Sequence, residues 1–138
     1  MKPFPVSHRS NTIAMTSTLS ATCHCGAVHI TIPAAPECVT NCNCSLCRRT
    51  GALWAYYTVG EVKVTGHPEH TCEYIWGDRM LKTIRCRHCG SVTHWEPLPS
   101  QHGARMGVNI RNFEPAQIGD VRIRRFDGAD TWTYIDEN

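Results

Sequence analysis

Seven of the nine cysteines stand in three short clusters: Cys23-His24-Cys25-Gly26, Cys42-Asn43-Cys44-Ser45-Leu46-Cys47 and Cys86-Arg87-His88-Cys89-Gly90. Thiols two and three residues apart are metal ligands far more often than disulfide partners. Seven divides into a closed set of four and an open set of three. Cys86 to Gly90 has the form of a knuckle, in which the chain turns tightly between two thiolates and the following glycine accepts a positive φ. Cys23 and Cys25 are expected on a strand, where residues two apart face the same side. One pair of each kind completes a tetrahedron and pins the start of the domain to its middle, so Cys23, Cys25, Cys86 and Cys89 are expected to hold a structural metal ion, with zinc the first choice. Iron is the alternative ion for four thiolates, and colour tells the two apart.

Cys42, Cys44 and Cys47 leave one corner of a zinc tetrahedron open. Three thiolates weaken the ion as a Lewis acid, yet the site still accepts a fourth sulfur, and a coordinated thiol is deprotonated outright. Such a site is better suited to activating a thiol than to activating water. Cys38 carries the competing reading, because a fourth thiol there would close the site. Against it, Val39 and Thr40 point to a strand, in which residues four apart are separated by about 13 Å. Arg48 and Arg49 follow the trio. They either hold a substrate carboxylate or form a solvated pair at a helix end.

The elements that must position these groups are short. The 138 residues fit one domain, and a 41% hydrophobic and 19% charged composition is that of an ordinary soluble protein. No apolar run is long enough to span a membrane, so no membrane partner is expected. The formal charge of +2 falls close to neutrality once seven thiolates bind two zinc ions, and nucleic acid is not an expected partner. Residues 1–20 lack a signal peptide's apolar region and are expected to be a disordered leader, with Met15 as the initiator and residues 21–138 as the domain. A cytoplasmic location follows from that reading and from the unpaired thiols.

Alternating patterns predict strands at Ala27–Pro33, Glu37–Asn41, Leu53–Val59, Val62–Val64, Cys72–Trp76, Met80–Arg85, Ser91–Trp95, Ala104–Ile110 and Val121–Phe126, with a last one at Trp132–Ile135. One helical turn is expected at Ser45–Thr50, stopped by Gly51. The fold class is mostly β, a single compact zinc-binding domain of several coiled antiparallel sheets with little helix. The eight histidines make no second constellation by spacing; His88 and His94 are expected beside a knuckle or exposed.

Taken together, Cys23-x-Cys25-Gly26-Ala27-Val28, Cys42-x-Cys44-Ser45-x-Cys47-Arg48-Arg49-x-Gly51 and Cys86-x-x-Cys89-Gly90 resemble the glutathione-dependent formaldehyde-activating enzyme family, which also includes centromere protein V. The likeness runs from about Ala21 to Ile135. It includes the Val-Asn-Ile-Arg-Asn-Phe stretch at 108–113 and Trp132. The resemblance implies two zinc ions per chain, a structural one on Cys23, Cys25, Cys86 and Cys89 and a catalytic one on Cys42, Cys44 and Cys47. It implies glutathione as substrate and addition to formaldehyde or another small aldehyde, giving S-(hydroxymethyl)glutathione, the work of a carbon–sulfur lyase or synthase. Arg48 and Arg49 are then the candidates for the glutathione carboxylates. Trp54, Tyr56 and Tyr57 are candidates to line the pocket. The long leader and Cys38 stand outside the family's pattern. The alternative is a non-catalytic zinc-stabilised binding module or a glutathione carrier. In that reading Arg122 and Arg124 on one strand face, with Arg105 and Arg111 elsewhere, meet phosphate or an acidic partner, against the plainer role of protecting a sheet edge.

Overall fold

The computed structural model describes residues 18–135, and most of the expected leader therefore lies outside the described residues. Ten strands and three short helical segments are present among those described. β1 (Leu19–Thr22), β2 (His29–Ile32) and β5 (Lys63–Thr65) form a three-stranded antiparallel sheet in the order β1-β2-β5. The seven-stranded sheet runs in the order β10-β3-β4-β9-β8-β7-β6. Its strands are β3 (Cys38–Cys42), β4 (Trp54–Thr58), β6 (Thr71–Tyr74), β7 (Leu81–Cys86), β8 (Val92–Pro97), β9 (Arg105–Asn109) and β10 (Arg122–Phe126). All its pairings are antiparallel except β10 on β3, which is parallel, with Phe126 opposite Cys42.

The alternation seen in the sequence becomes burial. Val28, Ile30 and Ile32 are fully buried, while His29 between them is exposed. Ile30 and Ile32 join Val39, Ala55, Met106, Val108, Ile110 and Phe113 in one core cluster, built from strands of both sheets. Each such side chain removed from water contributes about 1.5–3 kcal/mol before the entropy of ordering is counted.

Four expectations are corrected. β1 begins at Leu19, inside the stretch assigned to the leader; Leu19 and Ala21 alternate toward the core and pair with Ile32 and Ile30. Cys23 to Gly26 is a turn and not a strand: Gly26 N–H donates to Cys23 O at 3.1 Å, and Gly26 takes φ +88°. β8 runs on to Pro97, because Pro97 stands at the strand's end opposite Leu81 and costs the ladder little. Trp132–Ile135 is not a strand; it keeps a single bridge, Phe126 to Tyr134, because Trp132 adopts φ +61° and turns the chain away.

Among the described residues helix is confined to α1 (Cys47–Thr50), α2 (Pro115–Ile118) and one 3-10 turn at Ile110–Asn112. Gly51 ends α1 in the left-handed region at φ +72°, and its N–H donates to Cys47 O at 2.9 Å. Among the described residues no helix is long and apolar enough to cross a membrane.

Candidate metal centres and the sulfur cavity

Two of the cysteine clusters meet across the fold. Cys23 and Cys25 sit in the turn between β1 and β2, Cys86 ends β7, and Cys89 lies in the turn before β8. The four sulfurs lie within 4.8 Å of one another, with Cys23–Cys25 at 3.7 Å and Cys25–Cys86 at 3.6 Å. Thiolates about 2.3 Å from a tetrahedral ion are separated by roughly 3.8 Å, so this set fits one metal ion closely. Backbone donors complete it: Val28 N–H reaches Cys23 Sγ at 3.3 Å, and His88 N–H reaches Cys86 Sγ at 3.4 Å. All nine cysteines are free of disulfides.

The second cluster is built at the end of β3. Cys42 is the strand's last residue and is buried; the chain then bends, and Cys47 opens α1. Cys44 N–H points to Cys42 Sγ at 3.4 Å and Cys47 N–H to Cys44 Sγ at 3.3 Å, so the bend aims all three sulfurs inward. They too lie within 4.8 Å of one another. Trp54, on the neighbouring β4, donates its indole N–H to Cys47 Sγ at 3.3 Å. Cys38 is exposed at the far end of β3 and does not belong to the set, so three protein sulfurs define the site. Cys42 and Cys47 hold their protons unequally. The hydrogen bond from Cys47 draws the Cys42 thiol down to about 6 and pushes Cys47 up.

The segment after β10 packs directly on this trio. Gly128 lies so near that a Cβ there would stand 2.5 Å from Cys42 Sγ. Asn43 ties the segment down, donating to Asp127 Oδ1 at 3.0 Å and accepting from Ala129 N–H at 3.0 Å. Asp127 in turn accepts from the Thr131 hydroxyl at 2.9 Å. These bonds hold the Asp127 carboxyl below the usual range, the Asn43 contact foremost.

A cavity of about 590 Å³ opens beside the three sulfurs. Its walls are rich in aromatic side chains and come from distant parts of the chain: Trp54, Trp76, Trp95, Phe126 and Trp132 among them, with Arg105 the one cationic side chain among the described residues that line it. Arg105 stacks over the Tyr56 ring at 4.0 Å. Trp95 lies against Gly107, where a Cβ would meet the indole nitrogen at 2.0 Å; a glycine here is what leaves the ring room. Of the expected lining residues, Trp54 and Tyr56 are present. Tyr57 faces away by strand alternation and donates its hydroxyl to Ala34 O at 2.8 Å.

Arg48 and Arg49 do not line this cavity. Arg49 donates to Ser45 O at 2.7 Å and lines a wider polar cleft of about 1030 Å³, which also holds Arg85 and Arg111 but none of the three sulfurs. Trp76, Trp95, Gly128 and the Asn43 clamp carry no signal in the sequence; Arg105 stands out there only as a contact for phosphate or an acidic partner, and Trp132 only within the family likeness. An arginine beside Tyr56 was visible only through the β4–β9 pairing, which puts Tyr57 opposite Met106 and Thr58 opposite Arg105.

The mostly β domain brings together one set of four and one set of three cysteines, each of which could hold a metal ion, the second beside a cavity. A model of the family described as glutathione-dependent formaldehyde-activating enzyme matches residues 18–123, more than half of the chain. The chain belongs to that family. It is also similar to a solved structure of a protein from Rhodobacter sphaeroides, with 32% identity and a TM-score of 0.62, covering 76% of this chain and 99% of that one.

Proposed function

We propose that this protein adds glutathione, or a closely related thiol, to formaldehyde or another small aldehyde, as a carbon–sulfur lyase or synthase working in the cavity beside Cys42, Cys44 and Cys47. The observation that carries the reading is the set of three sulfurs facing a cavity rich in aromatic side chains. The family's activity on formaldehyde with glutathione supports the substrate pair. Zinc is the ion this donor set suits, with a second one on the four-cysteine site as scaffold. When bound at the trio, zinc offers a fourth position at which a thiol loses its proton.

The chain's own residues do the rest. Trp54 fixes the orientation of Cys47 through its N–H···S contact. Trp76, Trp95 and Trp132 form apolar walls around the space beside the three sulfurs. Arg105 is placed to meet a glutathione carboxylate, in the role first assigned to Arg48 and Arg49. The Tyr56 hydroxyl is kept protonated because burial raises its pKa, and so stays a donor. The reaction is balanced without a further co-reactant. The thiolate sulfur bonds to the carbonyl carbon, the C=O π pair moves to oxygen, and that oxygen takes the proton the thiol gave up.

Exchange between formaldehyde and its glutathione adduct, followed by two-dimensional NMR, tests the proposal. Wild-type protein is expected to speed the exchange. Cys44→Ser is expected to leave it at the protein-free rate. In the same assay Arg105→Gln is expected to raise the half-saturating glutathione concentration about tenfold, the value of one charge-assisted hydrogen bond. Equal rates with wild type, with Cys44→Ser and without protein would remove the enzymatic reading and leave a carrier or binding module.

A further inference from the structure

Three side chains outside both cysteine clusters converge on one point. His94 and Glu96 lie two apart on β8 and share a face, and His67 reaches them from the segment between β5 and β6. His94 is fully buried; His67 and Glu96 are 13% and 18% exposed in their side chains. His94 Nε2 is 3.1 Å from Glu96 Oε1, and His67 Nε2 is 3.4 Å from the same oxygen. Ligand atoms about 2.0 Å from a tetrahedral zinc-class ion are separated by roughly 3.3 Å, so both distances are those of a coordination edge.

A hydroxyl meets the far nitrogen of each ring. The Thr93 hydroxyl oxygen lies 2.9 Å from His94 Nδ1 and 3.2 Å from Ile84 O. The Thr71 hydroxyl oxygen lies 2.7 Å from His67 Nδ1 and 3.4 Å from Pro68 O. With the ring proton on Nδ1 donated to that hydroxyl, each Nε2 turns a lone pair toward Glu96 Oε1, and a cation between the three atoms satisfies all of them. Lys82 occupies the other oxygen of Glu96, at 3.6 Å, and Glu73 at 2.9 Å; Oε1 is left to the histidines.

We propose that His67, His94 and Glu96 form a third metal site that binds a zinc-class dication and pins the segment around His67 to β8. Two imidazoles and a carboxylate suit zinc, cobalt, nickel or copper, and a hydrogen-bond acceptor at the distal nitrogen is what orients a histidine ligand, the place the two hydroxyls take here. The site lies across the sheet from the sulfur cavity. Leu81, Thr83 and Trp95 line that cavity, and the alternate residues Lys82, His94 and Glu96 face the other way. Its low exposure makes it a structural site, and it stands whether or not the proposed chemistry does.

Equilibrium dialysis of the full chain against micromolar zinc, with metal counted per chain, tests the assignment. Wild type is expected to hold one ion more than Glu96→Gln and one more than His67→Ala. When the three proteins are loaded with cobalt, their thiolate-to-cobalt absorption is expected to be equal. Equal metal counts in all three overturn the site. Nitrogen-15 spectra of the histidines in wild type answer independently of how any variant folds. Adding zinc is expected to move the Nε2 signals of two of the eight histidines, and no shift in any of them overturns the site.

Discussion

Cys86→Ser is expected to leave the chain unfolded at 25 °C. Cys86 is fully buried, and Cys23 is 1% exposed. The four-cysteine set joins the β1–β2 turn of the small sheet to the end of β7 in the large one. Structural zinc contributes about 10–16 kcal/mol of binding free energy at neutral pH, and a domain's whole stability is about 5–15 kcal/mol. Losing one thiolate of four removes much of that contribution and strands the other three in a buried pocket. Circular dichroism is the readout: the β signal and the cooperative melt are expected to disappear. A strong chelator acting on wild type should have the same effect. A melt within a few degrees of wild type would show that packing alone holds the two sheets together.

Gly128→Val should give the opposite pattern, a folded protein with an empty second site. The first atom of any side chain at 128 would stand 2.5 Å from Cys42 Sγ and 3.3 Å from Cys44 Cβ. The segment cannot lift without breaking the Asn43 bonds to Asp127 and Ala129, so Cys42 must turn off its position or the clamp must open. A misplacement of about 1 Å at a reacting centre costs roughly a hundredfold in rate. We expect the glutathione–formaldehyde exchange to fall by about that factor and the metal of the trio to be lost. The melting temperature should change little, because the segment lies at the surface. Unchanged metal content and rate would mean that the trio tolerates the displacement.

The cysteine framework was legible in the sequence because ligand spacing is a local property. Two- and three-residue intervals converge on an ion whatever the surrounding fold. The division into four and three, the exclusion of Cys38 by the length of β3, and the stop at Gly51 all follow from a few residues at a time. Strand alternation likewise exposed β2 and its buried Ile30 and Ile32. What stayed hidden was assembled from a distance. Trp76, Trp95, Arg105 and Trp132 reach one cavity only through the order β4-β9-β8-β7 and the parallel return of β10 beside β3.

The His67, His94 and Glu96 cluster was missed for the same reason. Its two histidines are 27 residues apart in the sequence, and only the packing of the His67 segment on β8 brings them together. β1 was missed because Leu19 and Ser20 fall within the expected leader and four residues are too few to show a pattern; the strand character comes from the partner β2. Arg122 and Arg124, weighed as contacts for an acidic partner, stand on β10, the edge strand of the seven-stranded sheet. Arg124 stacks over Tyr134 at 3.6 Å. That placement agrees with edge protection.

Cobalt-loaded protein titrated with glutathione tests most directly whether the Cys42, Cys44 and Cys47 site takes up the visiting thiol. The thiolate-to-cobalt band of that site should grow by about a third as three sulfurs become four, and S-methylglutathione, which has no free thiol, should leave it unchanged. A band already at the four-sulfur intensity before glutathione is added, or one that glutathione does not alter, would contradict the account.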